Sequence, residues 1–214
     1  MNYKKEEVSL DTLLDSMYSE AEQASISNYV YLKSLWKHRT IILNAEIGED
    51  ILEKVAMPLI EFEKDDSKEP VTLIISTVGG SLLHGFFLCD IIDGYSKPLN
   101  IVITNIALSM GFIIACAGAH NPNVNKYCYK HSFSLLHDGE LALSGETGST
   151  RDTMNWLESV DEDVRSYIIN NTTITEAEYD AHKRKQWYMN AKDMKNYGVV
   201  DYVIDGRENR YAFS

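Results

Sequence analysis

The chain is 214 residues long, enough for one sizeable core, and its apolar share of 44% is ordinary for a globular domain. A formal charge of −12 argues against a nucleic-acid partner, which favours basic patches, and against an anionic membrane surface. No apolar run is long enough to span a bilayer, the first residues lack the apolar core of a signal peptide, and Cys89, Cys116 and Cys128 sit in apolar runs as buried thiols of a reducing compartment, so a cytoplasmic location is expected.

In residues 6–22, Leu10, Leu13, Leu14, Met17 and Tyr18 recur at helical spacing and predict an amphipathic segment ahead of the main domain. Residues 24–37 suit helix or strand, and 39–43 a short strand. In 50–64, Ile51, Val55, Leu59 and Phe62 share a helix face, with Pro58 expected to kink or divide the helix. A strand over 71–75 runs into the Gly79-Gly80 turn, and a helix opens at Ser81. His84, in that helix, reads as a satisfied histidine in preference to a site group. Residues 101–104 form a buried β-branched strand, and 110–119 an apolar, alanine-rich helix. Short strands follow over 127–129 and 133–136, the second ending at His137. Residues 139–150 hold three glycines among small and polar neighbours. A long helix over 152–170 carries the stripe Leu157, Val160, Val164, Tyr167 and Ile168. Thr175-Glu-Ala-Glu178 is a capping box that starts another helix. The last helix, 191–197, is ended by Gly198, and 199–204 is the final strand, followed by a loose tail. The strand–helix alternation indicates an α/β fold.

Ser109 is the most informative residue. It stands where a strand has ended and a helix begins, beside unpaired N–H groups and a positive dipole end. That position suits a nucleophile whose reaction develops an oxyanion, and it equally suits a plain helix cap. The adjacent Gly79 and Gly80 let backbone approach a ligand, as half of an oxyanion hole, a phosphate loop or only a tight turn. The Gly-x-x-x-x-Gly-Lys phosphate pattern is absent. His137, at a strand end before Gly139, is a candidate base.

Four runs in order resemble the proteolytic subunit of the Clp protease. Thr77-Val78-Gly79-Gly80-Ser81 is similar to the family's glycine turn, with valine for the usual proline. Leu108-Ser109-Met110-Gly111 is similar to its nucleophile motif, and Leu135-Leu136-His137-Asp138-Gly139 to its histidine motif. Tyr188-Met189-Asn190-Ala191, then Asn196-Tyr197-Gly198-Val199-Val200-Asp201, is similar to its closing run. The resemblance implies a crotonase-like, ClpP-type α/β fold with a protruding handle helix at 152–170. It implies an extended strand at 139–150 that pairs with substrate and with the opposite ring. It divides the chain into an N-terminal extension (1–38), a peptidase domain (39–205) and a C-terminal tail (206–214).

The implied function is a serine endopeptidase acting on unfolded polypeptides inside a homo-oligomeric chamber of two stacked seven-membered rings, fed by an AAA+ unfoldase. It needs no metal or cofactor. By resemblance Ser109 is the nucleophile, His137 the general base, and the N–H groups of Gly80 and Met110 the oxyanion donors. The family's third triad member, an Asp, falls on Gln186 here. A glutamine can fix the histidine's tautomer but stabilises an imidazolium far less. Asp138 and Asp180 are nearby substitutes. The missing acid motivates an alternative, a ring subunit that shapes the chamber while a paralogue does the chemistry. A further alternative is an acyl-CoA enzyme of the same superfold, holding a thioester oxyanion at the glycine turn.

Overall fold

The computed structural model describes residues 26–137 and 147–206. The amphipathic segment expected over 6–22, Asp138, most of the expected strand at 139–150 and the tail from 207 on lie outside the described residues.

The architecture is α/β, as the alternation predicts. Strands β1 (Thr40–Leu43), β2 (Val71–Thr77), β3 (Leu99–Leu108), β4 (Val124–Tyr129) and β7 (Tyr202–Ile204) form one parallel sheet in the order β1-β2-β3-β4-β7. Its central strand opens on the fully buried run Leu99 to Ile103, as expected of a parallel strand covered on both faces. β3 is longer than the expected 101–104, and it divides its partners. Leu99 to Ile103 pair with β4, whereas Ile106 to Leu108 pair with β5 (Phe133–Leu136). β5 then pairs antiparallel with β6 (Trp187–Asn190). The end of β3 therefore exchanges β4 for β5 on one side, while Ala107 keeps Thr77 of β2 on the other.

Helix α1 (Ile26–His38) settles the described part of the ambiguous 24–37 segment as helix. The expected helix at 50–64 is one rod, not two. Leu52–Ala56 is a π-turn that runs directly into α2 (Met57–Lys64), with the Met57 N–H donating to the Leu52 carbonyl, five residues back. The widening precedes Pro58, which has no N–H to give and whose ring crowds the carbonyl four residues back. α3 (Leu82–Asp93) and α4 (Met110–Cys116) follow the glycine turn and Ser109. α4 is buried along its whole length and packs on β2, β3, α3 and α5.

α5 runs Thr147–Asn171, so residues 147–150, expected to be strand, are the first turn of the long helix. Its C-terminal half is anchored by Ile168 in the core, by the Tyr167 hydroxyl donating to Asp93 at 2.8 Å, and by the edge-on contact of Tyr167 with Phe86. Toward its N-terminus Met154 and Trp156 are exposed. α6 (Glu176–His182) starts at the predicted capping box, with both reciprocal hydrogen bonds formed. α7 (Ala191–Asn196) ends before Gly198 at φ +70°. The final strand is shorter than the expected 199–204. The N–H groups of Val199 and Val200 turn back to the Met194 carbonyl, and Asp201 N–H reaches Lys126 O, so pairing with β4 begins only at Tyr202. Among the described residues no helix is long and apolar enough to cross a membrane.

Candidate active site

Ser109 does not cap α4. Its side chain makes no capping hydrogen bond, and its backbone sits at φ 54°, ψ −122°. A non-glycine residue holds such a conformation only under surrounding constraint, at a cost of about 1–3 kcal/mol. The constraint is visible on both sides. Ser109 N–H donates to Leu135 O at 2.8 Å, and the Ser109 carbonyl accepts from Phe112 N–H at 2.9 Å. The turn from strand to helix is thus sharp and pinned, and it leaves the hydroxyl at the mouth of the bend.

The glycine turn packs directly on this bend. A Cβ on Gly79 would come within 2.6 Å of Leu108 O and 2.8 Å of Ser109 Cβ. A Cβ on Gly80 would meet the Ile47 carbonyl oxygen at 2.3 Å. Both residues have positive φ, and only glycine fits. Ile47 N–H donates to Gly79 O and Ser81 N–H donates to Ile47 O, an isolated parallel bridge centred on Gly80. Consecutive amides of an extended chain point to opposite sides, so the Gly80 N–H points away from Ile47. Met110 N–H, at the first position of α4, has no partner within its helix. Gly80 and Met110 thus each carry a backbone N–H on the two segments that meet at the Ser109 bend.

Ser109, Gly80 and His137 line one groove of about 820 Å³. Leu82, Leu83 and Ile113 supply one wall, and α5 supplies the other through Met154, Trp156 and Leu157. His137 follows β5 and is half-buried. A second, small recess beside it is lined by Tyr179, His182 and Lys183. His182 is stacked on Trp187 at 3.7 Å between ring centroids, and its Nδ1 lies 2.8 Å from the Glu178 carbonyl.

Gln186 stands opposite His137 in the backbone register, one step beyond the Leu136–Trp187 pair. Its side chain, however, is exposed, and its carbonyl oxygen accepts from the Tyr188 hydroxyl at 2.8 Å. Among the described residues no hydrogen bond joins the Ser109 hydroxyl, the His137 ring and the Gln186 amide. Catalytic contacts commonly tighten only when substrate is bound. Asp180 is no substitute acid as placed, because its carboxylate faces the Arg165 guanidinium at 3.4 Å on the exposed surface. His84 is satisfied locally, its Nδ1 2.9 Å from Ser81 Oγ. Among the described residues no group of three or more His, Cys, Asp or Glu is arranged to hold a metal ion. The three thiols are buried and free, and burial pushes those of Cys116 and Cys128 up to about 12.

The motif order singles out Ser109, Gly80, Met110 and His137; of these Ser109, Gly80 and His137 line one groove, and Met110 follows Ser109 in the chain with its side chain buried. Sequence reasoning missed Glu46, Tyr179 and His182. Glu46 carries no motif, and it reaches the groove through a bridge to a residue far along the chain. His182 sits in the last turn of a helix whose start the capping box had marked.

A family model described as Clp protease matches residues 22–207. The chain is 23% identical over 185 residues to "ATP-dependent Clp protease proteolytic subunit 2" of Bacillus licheniformis, covering 86% of this chain and 96% of that protein. It is also 23% identical over 178 residues to "ATP-dependent Clp protease proteolytic subunit 1" of Bacillus cereus, covering 83% and 91%.

Proposed function

The chain belongs to the Clp protease family, and from that footing we propose that it is a serine peptidase subunit that cleaves unfolded polypeptide lying in the groove beside Ser109. The observation that carries the reading is the Ser109 bend, whose strained backbone leaves an uncapped hydroxyl in the same groove as Gly80 and His137. Ser109 Oγ attacks the peptide carbonyl while His137 takes its proton. The oxyanion is held by the N–H groups of Gly80 and Met110. Collapse breaks the C–N bond, and His137 gives its proton to the leaving amine. Water, deprotonated by His137, then releases the acyl group and restores Ser109.

The subunits assemble into stacked rings in the cytoplasm, and an ATP-driven AAA+ unfoldase supplies the unfolded chain. With Gln186 where the family has an Asp, the imidazolium lacks a counter-charge, and turnover of the isolated protein is slow. The Gln186–Tyr188 hydrogen bond also favours a second reading, a subunit that builds the chamber while a partner cuts.

The test is labelling by a fluorophosphonate probe together with peptide turnover. The native protein should label, and Ser109→Ala should lose both signals with its thermal midpoint unchanged. His137→Ala should lose turnover. A native protein that neither labels nor turns over peptide supports the second reading, and full activity in Ser109→Ala overturns the nucleophile.

A further inference from the structure

Glu46 lies on a segment bound along the glycine turn. The Thr77 hydroxyl donates to Ala45 O at 2.6 Å, Ile47 N–H to Gly79 O at 2.7 Å, and Ser81 N–H to Ile47 O at 2.8 Å. Residues 45–47 are thereby strapped to residues 77–81. Ile47 is buried beneath the strap, and the exposed Glu46 lines the groove alongside Gly80 and Ser109. Across the groove α5 contributes Glu158 and Asp161, set among apolar side chains such as Leu157 and Val160. Among the described lining residues there is no lysine or arginine. None of the three carboxylates has an ion-pair partner among the described residues. Among the side chains described on α5, the arginine Arg165 is turned to Glu162, Glu176 and Asp180.

We propose that the groove selects unfolded segments in which a lysine or arginine lies within a residue or two of the scissile bond, with Glu46 as the specificity-determining carboxylate on one wall and Glu158 and Asp161 facing it from the other. The inference rests on peptide being the occupant, as in the peptidase reading. The apolar lining takes an aliphatic or aromatic side chain, and the unneutralised carboxylates take a cation beside it. Charges of one sign in a concave site with low-dielectric walls focus their field inward and raise the local concentration of an oppositely charged ligand. The net charge of −12 adds a long-range pull of the same sign. Because the carboxylates are exposed, each contact is modest and screened by salt.

The experiment uses matched fluorogenic peptides that share an apolar residue at the cleaved position and differ only in carrying Lys, Gln or Glu at the flanking sites. On the full-length protein at low salt, kcat/KM for the Lys peptide should exceed that for the Glu peptide by about ten-fold, mostly through KM, and the ratio should fall toward one at about 1 M salt. Glu46→Gln should lower the ratio at least about two-fold, and Glu46→Lys should lower it further or invert it. Equal kcat/KM for the two peptides, or a ratio unmoved by Glu46→Gln, Glu158→Gln and Asp161→Asn alike, overturns the proposal. Fluorescence anisotropy of the same peptides on Ser109→Ala reads the preference without chemistry. Equal affinities there overturn the proposal. A Lys preference there with no turnover by the native protein supports it and overturns the peptidase reading instead.

Discussion

At the scale of single residues, the site divides into a well-built half and an unfinished half. Ser109 and its two flanking amides are fixed by backbone hydrogen bonds and by glycines that nothing else can replace. The histidine side has no such support, since Gln186, opposite it in the register, is exposed and its carbonyl oxygen is already engaged by Tyr188. Exchanging Asp for an amide in a serine triad costs about 10⁴ in turnover, so part of that should be recoverable. Gln186→Asp is expected to raise peptide turnover at least about ten-fold, more in combination with Tyr188→Phe, which removes the competing hydroxyl. Steady-state kinetics on the single and double variants check this, and an unchanged rate would mean that residue 186 does not orient His137. The placement of Gln186 opposite His137 was legible from the closing motif alone. Its hydrogen bond to Tyr188 follows from strand alternation, which sets residues 186 and 188 on one face. The Ser109 strain was not legible, because φ is imposed by Leu135 and Gly79, which local sequence does not bring to it.

Between elements, two polar clusters tie pieces that hydrophobic patterning alone would leave loose. Lys126 is buried at 3% exposure, with its ammonium donating to Cys116 O at the end of α4 and to Gly198 O just past α7. One cation thus serves two helix C-termini, where the backbone dipoles favour positive charge. Lys126→Leu should cost about 2 kcal/mol of unfolding free energy, read from denaturant midpoints at unchanged slope. The second cluster joins Asp65, after α2, to Arg39 and Lys97. The hydrogen-bonded Arg39 guanidinium, with Lys97 assisting, holds the Asp65 carboxyl at about 2. A lowered value in the folded state gives stability that is complete above the unfolded carboxyl range, about pH 4, and is lost as pH falls. The thermal midpoint should therefore drop between about pH 4 and pH 2, and Asp65→Asn should flatten that drop. An identical acid profile for the variant would remove Asp65 from the account. Most element types follow from periodicity, but the pattern over 24–37 suits helix and strand alike, 147–150 is helix where a strand is expected, and β6 is not foreseen; the boundaries that moved have local causes. Pro58 is absorbed by a π-turn, and Val199 and Val200 are captured by the C-terminus of α7 before β7 can begin.

At the scale of the whole molecule, several large aromatic side chains stand on the described surface. Tyr188, Tyr202, Phe133 and Trp156 are each about half exposed or more. Exposed apolar surface marks a contact site where it is contiguous. In the stacked-ring assembly proposed for this subunit it would be covered, and sedimentation velocity at micromolar concentration should find a species of many chains; a mass near one chain would overturn the assembly. The order of the four motifs made the overall fold readable, since each motif marks the end of a strand. The branching of β3 leaves one mark in the sequence, the polar pair Thr104-Asn105 between the segment that pairs with β4 and the segment that pairs with β5, but a short polar break does not by itself say that the partner changes there. That branching has a mechanical consequence. The last residues of β3 lie between β2, through Ala107 and Thr77, and β5, through Leu108 and Leu135, and Ser109 follows directly on them. The nucleophile thus stands at a seam, with β2 holding it on one side and β5 on the other, so a shift of β5 relative to β2 would bear directly on the Ser109 bend.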